Sequence, residues 1–225
     1  MSVLPPELER LREFYCQSLA LPAEAIMAHA PGLIDKPSFF TFAHLQRHLN
    51  NPLLTPCWFS LIWQGKSVDC TPALGRKVIR ESEVTFLNKA IIQEGLSHGA
   101  SLVLEGIEFL EPDIKAMCGA IDAPHQRVLS NAVVFYSQRG MEAYRGHFDA
   151  QDTLVIHLRG QKKWRIHERL PPRRVNRGEL TPEQMGRLHA EIVMNPGDAL
   201  FLRSNAPHIV ETLPIRFIAN LVRRC

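Results

Sequence analysis

The segment 146–166, GHFDAQDTLVIHLRGQKKWRI, constrains the fold more than any other part of this chain. Residues 153–158 (TLVIHL) are apolar and rich in β-branched side chains, which predicts a short buried strand. The next three residues predict a turn, because Gly160 can adopt a positive φ at no steric cost. Residues 162–166 (KKWRI) then form the returning strand. The sequence therefore predicts a pair of β-strands at this point.

His147 and Asp149 lie two positions apart just before the first of these strands. Side chains alternate between the faces of an extended strand, so both project to one side and Phe148 to the other. A histidine and a carboxylate side by side are two of the three ligands of the 2-His-1-carboxylate triad, which holds non-haem Fe(II) with open coordination positions. His-x-Asp alone is a weak signal, and surface or helix-capping residues are its usual explanation.

A later segment, NPGDALFLRSNAPHIVE at 195–211, supplies a candidate for the third ligand. Pro196, Gly197 and Asp198 predict a turn, and residues 199–203 predict a short apolar strand. The loop that follows delivers His208. A histidine after a strand is more often packed or solvent-facing than a ligand, so His208 gains weight only as the partner of His147 and Asp149.

The returning strand carries a candidate cation for the interior. Period-two alternation places Lys162, Trp164 and Ile166 on one face and Lys163 on the other. The face with the two large apolar side chains is expected to be the inner one. A buried ammonium is costly unless an anion pairs with it, and a dicarboxylate cosubstrate would supply that anion. The alternative, in which both lysines extend to solvent at a hairpin edge, stays open on spacing alone.

The motifs HFD, LRGQKKW, NPGDALFL and PH together resemble the JmjC/cupin-like hydroxylases, from about residue 101 to residue 208. These are Fe(II)- and 2-oxoglutarate-dependent oxygenases on a double-stranded β-helix, and similar members include ribosomal-protein and asparaginyl hydroxylases. The resemblance implies that His147, Asp149 and His208 bind Fe(II), with O2 as the second cosubstrate. It also implies that Lys162 binds the distal carboxylate of 2-oxoglutarate.

The resemblance places further cosubstrate contacts near Tyr136, Thr153 and Asn220. The chain departs from the family before His147, where relatives often have a glycine-rich segment. Residues 138–146 (QRGMEAYRG) are bulkier and charged instead. This departure leaves the contacts on the substrate side open, and it does not affect the candidate iron ligands.

The expected fold class is mainly β with flanking helices, as a double-stranded β-helix (jelly roll) of the cupin/JmjC type. We expect an N-terminal helical segment at 1–56, packed on a barrel at 57–225 that carries a helical insertion at 168–191. Apolar periodicity predicts helices at 5–19, 42–49, 82–94 and 112–121, and a capping box beginning at Thr181 predicts the helix of the insertion. His44 and His48 lie one turn apart and are expected on an exposed helix face.

Charge and cysteine content give little support for a nucleic-acid-binding protein or for a disulfide-linked fold. A net charge of +3 among 225 residues is too small to argue for nucleic acid. The basic segment at 169–177 is expected to be a solvated loop, although contact with an acidic substrate or nucleic acid stays open; its arginines are Arg169, Arg173, Arg174 and Arg177. Five scattered cysteines without C-x-x-C spacing indicate reduced thiols.

No apolar run is long enough to cross a membrane, and the N-terminal residues lack a signal-peptide core, so the cytoplasm is the expected location.

The resemblance implies an oxygenase that hydroxylates an unactivated carbon, most directly on an amino-acid side chain within a peptide or protein, with succinate and CO2 as coproducts. A free amino acid or a natural-product intermediate is the alternative substrate. Demethylation of N-methyl-lysine ranks lower, because no aromatic cage or zinc module is visible. A non-catalytic cupin-type module that binds another metal, or none, is the non-enzymatic alternative. The sequence leaves the oligomeric state open.

Overall fold

The computed structural model describes residues 4–51, 53, 58–123, 130–138, 144–171, 177–213 and 218–224; for 73, 177, 178 and 218–224 it describes the backbone only. Four α-helices lie in this part of the chain: α1 (Pro6–Leu19), α2 (Phe42–Leu49), α3 (Lys89–Ser97) and α4 (Pro112–Asp122). The strands before the candidate site are β1 (Met27–Ala30), β2 (Phe59–Trp63), β3 (Lys66–Val68), β4 (Leu74–Ile79), β5 (Ser82–Leu87), β6 (Ser101–Leu104) and β7 (Asn131–Ser137). Those that follow are β8 (His147–Asp149), β9 (Thr153–His157), β10 (Lys162–His167), β11 (Arg177–Glu179), β12 (Leu188–Met194), β13 (Ala199–Leu202), β14 (His208–Thr212) and β15 (Ile218–Arg224).

Two sheets form the barrel. The larger sheet has the order β1-β13-β9-β15-β7-β6-β2-β3, and the smaller has the order β11-β8-β14-β10-β12. From β7 onward the chain passes between the sheets: β7, β9, β13 and β15 lie in the larger one, and β8, β10, β12 and β14 in the smaller one. Neighbouring strands run antiparallel. This is the arrangement of a double-stranded β-helix, and it confirms the predicted fold class.

The apolar core has two layers, on opposite faces of the larger sheet. Between the sheets, Val155 and Leu200 pack with Trp164 and Met194 of the smaller sheet. On the outer face, the helices pack against alternate residues of the same strands. Tyr15 of α1, for example, meets Phe201 edge to face with ring centroids 5.8 Å apart.

The predicted N-terminal helices are confirmed. α1 begins at Pro6, and α2 begins after Thr41, whose hydroxyl accepts a hydrogen bond from the backbone N–H of His44 at 3.4 Å. The expectation of an exposed histidine pair is wrong, because His48 is buried and its Nε2 lies 2.6 Å from Oε1 of Glu111. The segment also contributes strand β1 to the larger sheet. A domain boundary at 56/57 stays a prediction.

The helix predicted at 82–94 is wrong in its first half. Residues 82–87 form β5, which pairs with β4 as a separate hairpin, and α3 begins only at Lys89. Arg80 and Glu81 have φ values of 47° and 66°, so they form the tight two-residue turn that suits a twisted hairpin. Val84, Leu87 and Ile91 have helical spacing, whereas Val84 and Phe86 fit strand alternation, and pairing with β4 decided between the two patterns.

The helical insertion predicted at 168–191 is also wrong for the residues that the structure describes. The capping box at Thr181 is present, but it opens a single 3-10 turn, Pro182–Gln184. Gly186 follows with a φ of +75°, and the chain then extends into β12, which pairs along β10. Sheet pairing therefore replaces the expected helix. None of the described helices is long and apolar enough to cross a membrane.

Candidate metal centre

Strands β8 and β14 bring three buried side chains together. His147 and His208 are directly opposite in the register of the two strands, and their ring centroids are 4.2 Å apart. Asp149 lies two residues after His147 and therefore on the same face. One potential ligand atom from each of the three residues lies within 4.8 Å of the others, and all three residues are buried. The structure thus groups the three side chains that the sequence predicts as ligands.

Backbone carbonyls fix the orientation of both imidazoles. Nδ1 of His147 donates to the carbonyl oxygen of Arg145 at 2.9 Å, and Nδ1 of His208 donates to that of Ala206 at 3.0 Å. A carbonyl only accepts, so in each neutral ring the proton is on Nδ1 and the lone pair on Nε2. Metal-binding histidines are held in this way by a second hydrogen bond. Two Nε2 atoms and one carboxylate are the donor set that suits Fe(II), so these residues fit such an ion.

Aromatic rings surround the two histidines. Trp164 stacks on His208 with centroids 5.4 Å apart and planes 25° apart. Tyr144 lies 5.6 Å from the ring of His147 and also contacts Phe135. These rings make one side of the centre apolar. From the sequence, Trp164 is expected only to pack in the core, and no sequence pattern singles out Tyr144. Period-two alternation along β10 is the signal for Trp164.

Lys162 lies on the inner face of β10, and only 4% of its surface is exposed. Alternate residues of this strand are buried, as predicted, and Lys163 faces outward with its Nζ 2.9 Å from Oε1 of Glu191. Among the described residues no carboxylate pairs with Lys162. Burial alone lowers its pKa from 10.5 to about 7, because the ammonium loses its hydration. The structure thus favours the inward position over the solvent-exposed one.

Lys162 and the histidines are aligned along neighbouring strands. In the β10–β14 register, Ile166 is opposite His208 and Lys162 is opposite Thr212. Four residues of strand separate the two levels, which is roughly 13 Å. A long lysine side chain spans part of that distance, and a five-carbon dicarboxylate is of a size to bridge the remainder.

The other three residues predicted to contact the cosubstrate lie at different places in the barrel. Thr153 is buried and shares the inner face of β9 with Val155. Tyr136 is not brought to the centre: it lies on the outer face of β7, in the helix-facing core, with its ring 5.7 Å from that of Phe42. Alternation explains this correction, because the inner positions of β7 belong to its neighbour Phe135. The backbone of Asn220 is opposite Phe135, but its side chain lies outside the described residues.

Asn205 supports the centre through its backbone, a role that the sequence analysis missed. Its N–H donates to the carbonyl oxygen of Asp149 at 2.6 Å, and its carbonyl oxygen accepts from the N–H of Leu170 at 2.8 Å. Asn205 has a φ of +61°, a conformation that asparagine tolerates better than most residues. The presence of an asparagine in the loop just before His208 could therefore have indicated a left-handed backbone conformation at this position.

The basic segment contributes little that the structure can describe. The guanidinium of Arg169 donates to the carbonyl oxygen of Ser204 at 2.8 Å and to its hydroxyl at 3.0 Å. These bonds hold it against the loop that precedes His208. Arg173 and Arg174 lie outside the described residues, as does the side chain of Arg177, so contact of this segment with a partner stays untested.

Comparison with known proteins indicates which family this chain resembles. A family model for the JmjC domain matches residues 110–217. A Drosophila willistoni protein named bifunctional lysine-specific demethylase and histidyl-hydroxylase NO66 is 28% identical over 101 residues, which cover 43% of this chain and 13% of that protein. Gallus gallus ribosomal oxygenase 1 is 26% identical over 96 residues, covering 40% of this chain and 16% of that protein. The chain thus spans a small part of the length of these relatives.

Solved structures share the fold at low sequence identity. The structure of Escherichia coli YcfD superposes with a TM-score of 0.59 at 13% identity, covering 94% of this chain and 53% of that one. A second YcfD structure, of a ribosomal oxygenase in complex with cobalt and 2-oxoglutarate, has a TM-score of 0.55 at 14% identity and covers 94% of this chain and 51% of that one. The match of residues 110–217 to the JmjC domain, together with this shared fold, confirms that the chain resembles the JmjC/cupin-like oxygenase family.

Proposed function

We propose that this protein is an Fe(II)- and 2-oxoglutarate-dependent oxygenase that hydroxylates an unactivated carbon on an amino-acid side chain within a peptide or protein. The convergence of His147, Asp149 and His208 is the observation that carries the proposal. The names of the relatives, an oxygenase of the ribosome and a histidyl-hydroxylase, support a protein substrate. Cytoplasmic location stays a prediction.

Each residue of the centre has a defined task in this proposal. Nε2 of His147, Nε2 of His208 and a carboxylate oxygen of Asp149 hold the metal. Because each Nδ1 donates its proton to a backbone carbonyl, each Nε2 is deprotonated and points toward the metal position. When bound, Fe(II) supplies the reaction of O2 with 2-oxoglutarate that yields succinate, CO2 and a hydroxylated substrate. The three protein ligands fix the position of the ion and leave other coordination positions open for the cosubstrates.

Lys162 anchors the cosubstrate in this scheme. Its ammonium is buried without a carboxylate partner among the described residues, and a bound dicarboxylate would provide one. This feature favours the oxygenase over a non-catalytic cupin module, which has no need for a buried cation. The apolar rings of Trp164 and Tyr144 help to keep water away from the centre.

The test is an anaerobic titration of the purified chain with Fe(II) and then 2-oxoglutarate. We expect the weak visible charge-transfer band of a keto acid chelated to Fe(II), and succinate after O2 is admitted. Asp149→Ala should give neither signal. Folded wild-type protein that binds Fe(II) and 2-oxoglutarate without the band, or without succinate in the presence of O2, would contradict the oxygenase assignment.

The substrate is tested separately by mass spectrometry. Peptides from ribosomal proteins, free amino acids and N-methyl-lysine peptides are incubated with the loaded protein. Gain of one oxygen on a peptide side chain supports the proposal. Reaction of the free amino acids alone would overturn its substrate class, and loss of a methyl group from the N-methyl-lysine peptides alone would indicate demethylation.

A further inference from the structure

We propose that the indole N–H of Trp164 is a second hydrogen-bond donor for the cosubstrate, acting beside Lys162. The inference rests on the proposed function, and it assigns to Trp164 a role in binding the keto acid as well as in packing. It starts from two donors on one strand: the indole of Trp164, which has no hydrogen-bond partner among the described residues, and the ammonium of Lys162, which has no carboxylate partner among them.

Trp164 is buried, with 4% of its surface exposed, and its Nε1 has no hydrogen-bond partner in the part of the chain that the structure describes. Buried N–H groups are rarely left unpaired, because each loses its hydrogen bonds to water on folding. An indole nitrogen can only donate, so the missing partner must be an acceptor.

The position of Trp164 indicates what that acceptor is. Its ring stacks on His208, a candidate metal ligand, and it lies two residues from Lys162 on the same face of β10. In the register with β14, Trp164 is level with Val210, between the levels of His208 and Thr212. A molecule that reaches from the metal to the ammonium of Lys162 must therefore pass Trp164.

Among the described residues, no acceptor forms a hydrogen bond with the indole nitrogen. The apolar side chains that pack with Trp164 between the sheets include Val155, Leu200 and Met194. The indole of Trp164 and the ammonium of Lys162, which has no carboxylate partner among the described residues, are both donors on this face. One ligand rich in acceptors can satisfy both, and a carboxylate oxygen of 2-oxoglutarate is such an acceptor.

The test compares Trp164→Phe, which keeps an aromatic ring and removes the donor, with the matched control Trp63→Phe at an exposed position. Dissociation constants are measured by calorimetry under anaerobic conditions, first for Co(II) alone and then for 2-oxoglutarate with the Co(II)-loaded protein. For Trp164→Phe we expect 2-oxoglutarate binding to weaken roughly 10- to 100-fold, as for loss of a hydrogen bond to a charged acceptor. Binding of Co(II) should not change, and Trp63→Phe should match the wild type.

Two outcomes overturn the inference. Unchanged 2-oxoglutarate affinity in Trp164→Phe removes the donor role. Weaker Co(II) binding in the same variant would show that the indole acts on the metal ligands instead. If Lys162→Met weakens 2-oxoglutarate binding while Trp164→Phe does not, the inference fails and the proposed function stands; if wild-type protein loaded with Co(II) binds no 2-oxoglutarate, the proposed function itself fails.

A measurement on the wild-type chain covers the case in which Trp164→Phe does not fold. The chain has three tryptophans, so its 15N-labelled indole groups give three N–H signals, of which those of Trp58 and Trp63 can be assigned from their phenylalanine variants. Adding 2-oxoglutarate to the Zn(II)-loaded protein should shift the Trp164 proton downfield. A Trp164 signal that moves with Zn(II) alone and not with 2-oxoglutarate would contradict the inference.

Discussion

His147 and His208 are direct neighbours across β8 and β14, with ring centroids 4.2 Å apart, although they lie far apart in the sequence. Strand pairing therefore creates the candidate metal centre. The side chains have their orientation before any ion binds, because each Nδ1 is already bonded to a backbone carbonyl. A centre prepared in this way should bind metal without a large rearrangement.

Metal ions should stabilise the wild-type chain and not the ligand variants. An ion at about 100 times its dissociation constant adds about 2.7 kcal/mol to the free energy of unfolding. For a chain of this length that corresponds to a rise in Tm of about 5–10 °C. Thermal unfolding with and without Co(II) measures it. His208→Ala should lose the rise, whereas the control His98→Ala, at an exposed position, should keep it. An equal rise in His208→Ala would place the ion elsewhere.

Binding of 2-oxoglutarate should weaken as the pH rises above 7. The pKa of Lys162 is lowered to about 7 by burial, so the ligand-free ammonium deprotonates above that pH. A dicarboxylate needs the charged form, and its affinity should fall by about tenfold per pH unit until the pKa of the complex is reached. Calorimetry in buffers of different ionisation enthalpy should show proton uptake on binding. Lys162→Met should bind weakly and lose this pH dependence, and a pH-independent wild type would contradict the anchor.

Lys162→Met should also stabilise the metal-free protein near neutral pH. The folded pKa, about 7, lies below the unfolded value of 10.5, so the unfolded state binds more protons between these limits. Wild-type stability therefore rises as the pH rises from about 7 to about 10.5 and is flat below 7. The variant should gain a few kcal/mol at about pH 6.5, and the gain should shrink toward high pH. Urea unfolding at several pH values measures it.

Lys163→Met is the matched control for both lysine predictions. It lies next to Lys162 but on the outer face, paired with Glu191. Exposed pairs contribute about 0–1 kcal/mol, so this variant should change stability little and leave 2-oxoglutarate binding intact. A gain in stability in Lys163→Met as large as that in Lys162→Met would mean that burial of the ammonium is not the cause.

Gly197→Ala should be strongly destabilising. Gly197 has a φ of +92°, and an added Cβ would lie 1.9 Å from the carbonyl oxygen of Ile34. The backbones touch here because the N–H of Ile34 donates to the carbonyl oxygen of Gly197 at 3.1 Å. We expect a loss of roughly 3 kcal/mol or more, the range typical of overpacking combined with backbone strain. Chemical denaturation gives the value.

Gly32→Ala separates the cost of backbone strain at Gly197 from the cost of the steric clash with Ile34. Gly32 also has a positive φ, +61°, but no atom lies within 4 Å of its added Cβ. It should therefore cost only about 1–2 kcal/mol, the backbone term alone. Similar losses in the two variants would show that the contact with Ile34 is not important.

The local sequence pattern predicted secondary structure correctly where it fitted only one periodicity, that of a helix or that of a strand. Alternation predicted β10 and made Lys162 a candidate for its inner face, and apolar periodicity with Thr41 as cap predicted α2. At residues 82–87, Val84 has helical spacing to Leu87 and strand spacing to Phe86, and only pairing with β4 selected the strand. The capping box at Thr181 formed, yet its helix did not continue.

The sequence by itself supplied the candidates for the centre, which are the His-x-Asp pair, the later histidine and the lysine on an alternating strand, and the family resemblance assigned them to one site. Those features depend on residue type and on spacing within single strands, which are local properties. Only the tertiary structure decided which polar residues share a face of the barrel. It turned Tyr136 toward the helices, buried His48 against Glu111, and set Trp164 against His208. These outcomes depend on which strands and helices become neighbours, and such contacts between distant segments have no counterpart in local spacing.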